Sequence, residues 1–118
     1  GLAPGQPMIL EHAELEKDAG SIEPDVLSLL QRTADRIAAF ADAQRRSVVN
    51  LVVPVPGGTA GHSVAPVERA GCYAPGGRYP LPSSVLMTAV TARTAGVGEV
   101  WVASPRPTPG CARAGRAT

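Results

Sequence analysis

The chain has 118 residues, 44% of them hydrophobic, and its 11 basic and 10 acidic side chains leave a net charge of +1. That length holds at most one domain, and the apolar content excludes a chain disordered by composition. No run approaches the roughly 20 apolar residues of a membrane-spanning helix, so no membrane partner is expected. Aromatic residues are only 3%, so the core is expected to be built from Ala, Val and Leu. Such a core is shallow per residue and is expected to pack against more protein than this chain supplies.

Residues 1–8, GLAPGQPM, read as loop from their paired prolines and glycines. Ile9 to Ala19 reads as a short acidic helix closed by Gly20. Pro24 suits the first turn of a second helix, and Glu23 and Asp25 favour its positive end. Val26, Leu27, Leu30, Ala34, Ile37, Ala38 and Ala41 then recur at helical spacing, predicting one amphipathic helix to about Gln44. Arg32, Asp35, Arg36 and Asp42 take its other face, and Arg45 and Arg46 suit its negative end.

Ser47 to Val55, SVVNLVVPV, is β-branched and apolar and predicts a strand that Pro54 and Pro56 end. Residues 56–63, PGGTAGHS, read as a glycine-rich turn. Val64 to Tyr73 returns as strand, in one piece or in two, Val64–Arg69 then Ala70–Ala74. The proline-punctuated loop Pro75–Pro82 follows, with Ser83 or Ser84 as N-cap of an apolar helix to Ala95 and Gly96 at its end. Val97 to Ala103 predicts a last strand, and Pro105, Pro107 and Pro109 stop regular structure.

Residues 70–103 therefore form a strand–loop–helix–strand unit of about 30 residues. Such crossovers are right-handed and parallel in about 98% of cases. The fold class is α/β, a partial Rossmann-like β-α-β unit preceded by an amphipathic helix. A ligand is expected at the carboxyl ends of the strands, which places Tyr73, Pro75, Gly76 and Gly77 at that edge. Residues 1–23, 24–107 and 108–118 read as an N-terminal segment, the α/β unit and a basic tail.

The chemistry is narrower. Ala74-Pro75-Gly76-Gly77 is neither the dinucleotide fingerprint nor a P-loop. Its position between strand and helix reads equally as a structural turn or as backbone N–H groups offered to a polar or phosphate-bearing ligand. Tyr73 reads either as a packing residue or as a ring that stacks on a base or ribose. The only histidines, His12 and His62, show no metal spacing, and no nucleophile motif is present. Cys72 reads as a small buried hydrophobe; a disulfide to Cys111 stays open, with a reducing cytoplasm the expected compartment. Arg106, Arg113 and Arg116 form a basic tail without interleaved aromatics, so no nucleic-acid partner is expected.

The stretch V-E-R-A-G-C-Y-A-P-G-G-R-x-P-x-P-S-S-V-L-M-x-A-V-x-A-R-x-A-G-V closely resembles the signature region of the histidinol dehydrogenase family. The earlier R-I-x-x-F-x-x-x-Q, Arg36 to Gln44, is similar to the helix that precedes it in that family. The resemblance covers about residues 24–107. It implies a homodimeric, zinc-requiring, NAD-dependent enzyme of histidine biosynthesis that oxidises L-histidinol to L-histidine. It further implies that Tyr73 contacts NAD, that Pro75, Gly76 and Gly77 lie beside the cofactor, and that Ser83 lies near the substrate.

A relative acting on another hydroxyl compound, such as sulfopropanediol dehydrogenase, shares much of this region. The family's zinc ligands and catalytic Glu-His pair have no counterpart in the sequence. Residues 1–23 and the tail after Pro107 read differently from the family, as a truncated or frame-altered chain would. The chain also begins at Gly1 rather than Met and shows no signal peptide, and it is read as a fragment or processed product. Two readings stand. One is a piece of a histidinol dehydrogenase without its catalytic apparatus. The other is a non-catalytic α/β nucleotide-binding or interaction module.

Overall fold

The structure, a computed structural model, describes residues 9–75 and 81–104. Helices α1 (His12–Ala19) and α2 (Pro24–Ser47) are followed by strands β1 (Leu51–Val55), β2 (Gly58–His62) and β3 (Arg69–Tyr73). Helix α3 (Pro82–Thr94) and strand β4 (Glu99–Ala103) complete the order.

The strands form two separate pairs. β3 and β4 are parallel, in register from Arg69 opposite Glu99 to Tyr73 opposite Ala103, with α3 as the crossover between them. The expected β-α-β unit is therefore present and the α/β class holds. Its connection returns parallel because a helix intervenes; a two-residue loop would force an antiparallel pair.

β1 and β2 form an antiparallel hairpin from Leu51 opposite His62 to Val55 opposite Gly58. Here the sequence reading is corrected, since Gly58–His62 is a strand and the turn is only Pro56-Gly57. Gly57 takes φ +88° in that loop, a conformation that glycine alone adopts freely. Pro54 sits one residue from the loop, opposite Thr59. Its missing N–H faces the open edge, so no ladder bond is lost. At the hairpin's base the Val64 N–H donates to Asn50 Oδ1 at 2.7 Å, and His62 Nε2 lies 3.1 Å from the Val49 carbonyl oxygen.

Other boundaries move for local reasons. The strand expected from Ser47 begins at Leu51, because α2 runs three residues past Gln44 and Ser47 still belongs to it. Val64–Val67 carries no ladder; Arg69–Tyr73 pairs, and Glu68 adds only its carbonyl, which accepts from the Glu99 N–H at 3.2 Å. α3 begins earlier than Ser83. Leu81 is its N-cap residue, without a side-chain cap, and Pro82 takes the first position. The fixed φ of proline and its absent N–H suit that position, so neither Ser83 nor Ser84 is needed as a cap. In α1 the Glu11 N–H donates to the Glu14 carboxylate at 2.9 Å, which satisfies one of the donors a helix start leaves free.

The core lies between α2, α3 and one face of the β3–β4 pair. Ala34 of α2 joins Ala74, Val85, Leu86 and Val90 in one buried cluster, with Leu30, Ile37 and Ala38 packed at its edge. Small residues on α2 let α3 approach closely, and Val85 and Leu86 are the largest side chains fully enclosed. Each contributes about 1.5–3 kcal/mol through burial. The expected stripe on α2 is correct at Ala34 and Ala41, whereas Val26 is exposed. Cys72 is buried and free, as a small apolar residue.

The hairpin shares little of this core. Every residue of β1 and β2 is exposed, and no charged side chain occurs from Ser47 to Val67. The Cα radius of gyration is 18.1 Å, above the roughly 13 Å of a compact domain of this length. Among the described residues no helix is long and apolar enough to cross a membrane.

Candidate functional site

The alternation of a β-strand decides what the carboxyl edge can offer. Cys72 and Ala74 turn toward α3 and are buried. Their neighbours Arg69, Gly71 and Tyr73 therefore face the other side of the sheet, where no element of the described chain covers them. On β4 the same face carries Glu99, Trp101 and Ala103, each opposite its partner in the register.

Tyr73 is the last residue of β3 and is 62% exposed. Burial among neighbours is the role of Cys72 and Ala74 instead. The Ala74 N–H donates to the Ala103 carbonyl at 2.9 Å, which carries the parallel ladder one residue beyond Tyr73. Pro75 follows, exposed. Gly76 and Gly77 lie outside the described residues. Ser83 is exposed in the first turn of α3, on the far side of that loop.

The edge also holds a group that the sequence reading missed. Ser104, one residue past β4, has a buried Oγ with no hydrogen-bond partner among the described residues. An unsatisfied buried hydroxyl costs about 1–3 kcal/mol, and such a group at the carboxyl edge of a parallel pair stands where α/β sheets bind ligands. No sequence signal marks it beyond its place between a strand and Pro105.

Other polar groups are engaged structurally. The Arg45 guanidinium donates to the Thr94 carbonyl at 3.4 Å, closing the C-terminal end of α3. A groove of about 630 Å³ lies beside it, between the C-terminal ends of α2 and α3 and the hairpin's base. That groove is at the amino-terminal end of the strands, away from Tyr73, and Arg45 and Asn50 on its wall already hold structural hydrogen bonds.

A model of the family "Histidinol dehydrogenase" matches residues 3–115. The chain belongs to the histidinol dehydrogenase family. The matched span is wider than 24–107, so the acidic N-terminal segment and most of the basic tail fall inside it although their residues read differently. A histidinol dehydrogenase of Methanococcus maripaludis is 40% identical over 92 residues, 78% of this chain and 22% of that relative. The protein named histidinol dehydrogenase homolog 1 of Mesorhizobium japonicum is 37% identical over 97 residues, 81% of this chain and 19% of its own length. The crystal structure of a histidinol dehydrogenase from Elizabethkingia anophelis superposes with a TM-score of 0.74 at 22% identity, over 91% of this chain and 26% of that one. The chain thus spans about a fifth of the length of the curated relatives it matches.

Histidinol dehydrogenases use NAD and zinc, and the two groups fare differently here. Among the described residues, the carboxyl edge offers groups that suit a dinucleotide: the exposed Tyr73 ring and the unpartnered Ser104 hydroxyl. For zinc, no group of three or more His, Cys, Asp or Glu that could hold a metal ion comes together among the described residues. Those residues do not fit a zinc site, and no step is assigned to one.

Proposed function

We propose that this chain provides the dinucleotide-side β-α-β unit of an NAD-dependent histidinol dehydrogenase. One observation carries the reading. Tyr73, the tyrosine of the family's G-x-Y-x-P-G-G stretch, ends β3 uncovered at the carboxyl edge of the parallel pair. NAD bound there would supply the hydride acceptor, one NAD for each of the two two-electron oxidations that take the hydroxymethyl group of L-histidinol through the aldehyde to the carboxylate of L-histidine. The chain's own contribution is to bind and orient NAD. Tyr73 would lie against a ring or ribose, Pro75, Gly76 and Gly77 would contact the cofactor, and Ser104 Oγ would donate to one of its polar atoms. Ser83 contacts the substrate from the first turn of α3. Homodimeric assembly and a cytoplasmic location come with the family and rest on no residue described above.

The oxidation itself also requires a proton acceptor beside the hydroxyl. The two histidines sit on α1 and β2 and are exposed. The chain alone is therefore expected to bind NAD without turning over L-histidinol.

Backbone amide NMR tests both halves. Addition of NAD should shift the resonances of Cys72–Ala74, Ser83–Val85 and Ala103–Ser104 and leave those of β1 and β2 unmoved. Addition of L-histidinol should then produce no NADH. Shifts confined to the hairpin or to the groove beside Arg45, or histidinol-dependent NADH, would contradict the assignment.

A further inference from the structure

We draw no further inference here: the strongest candidate, the uncharged β1–β2 hairpin and the groove of about 630 Å³ at its base between the C-terminal ends of α2 and α3, is an exposed surface, and nothing in the structure shows what covers it.

Discussion

Gly96 lies directly against Pro66: it takes φ +97° at the end of α3, and a Cβ placed on it would stand 3.4 Å from the proline ring. The contact ties the exit of α3 to the segment that enters β3, so the chain's turn into β4 depends on one residue without a side chain. Gly96→Ala should lower stability by about 1–2 kcal/mol, since an L side chain is disfavoured in the left-handed region. Urea unfolding followed by far-UV circular dichroism measures this, and an unchanged midpoint would show that the helix end relaxes freely.

The core is small enough for one residue to dominate it. Leu86 is 1% exposed and sits in the single cluster joining α2, α3 and Ala74. Leu86→Ala should cost about 2–5 kcal/mol, the transfer loss plus the cavity left behind. Against the usual 5–15 kcal/mol of a folded domain, that change removes a large share of the stability. A loss below about 1 kcal/mol in the same urea experiment would mean that α2 and α3 close the gap.

Ser104 separates stability from binding. Its hydroxyl is buried without a partner among the described residues, so removing it should leave stability unchanged or raise it. If the hydroxyl meets bound NAD, Ser104→Ala should weaken that affinity by about ten-fold, the scale of one hydrogen bond to a polar ligand atom. Thermal unfolding and calorimetry on the same sample give both numbers. Lower stability with unaltered affinity would make Ser104 a purely structural residue.

The β-α-β unit and α2 were legible in the sequence because punctuation and period agreed there. Pro24, Gly96 and the proline-rich stretches at 75–82 and 105–109 bracket runs whose apolar spacing matches the elements observed. β2 was not legible. Gly58-Thr59-Ala60-Gly61-His62 has a single β-branched residue, and its strand state comes from pairing with β1 across Pro56-Gly57. The start of α3 was misplaced because the serines outweighed Pro82, although proline at the first helical position is the firmer signal.

The same distinction holds for the site. Tyr73 was legible from a contiguous motif. The pairing of Arg69 with Glu99 on the same face was not, because it depends on a register between strands thirty residues apart in sequence. Ser104 was invisible for a different reason, since an unsatisfied hydroxyl is a property of packing and not of residue order.

Calorimetric titration of NAD into the chain and into its Tyr73→Ala variant decides whether the carboxyl edge at Tyr73 holds the dinucleotide. The expected result is saturable one-site binding that falls about ten-fold or more in the variant, since Tyr73 is uncovered and loses a stacking partner and a hydroxyl. Equal binding by both chains, or binding by neither, would contradict it.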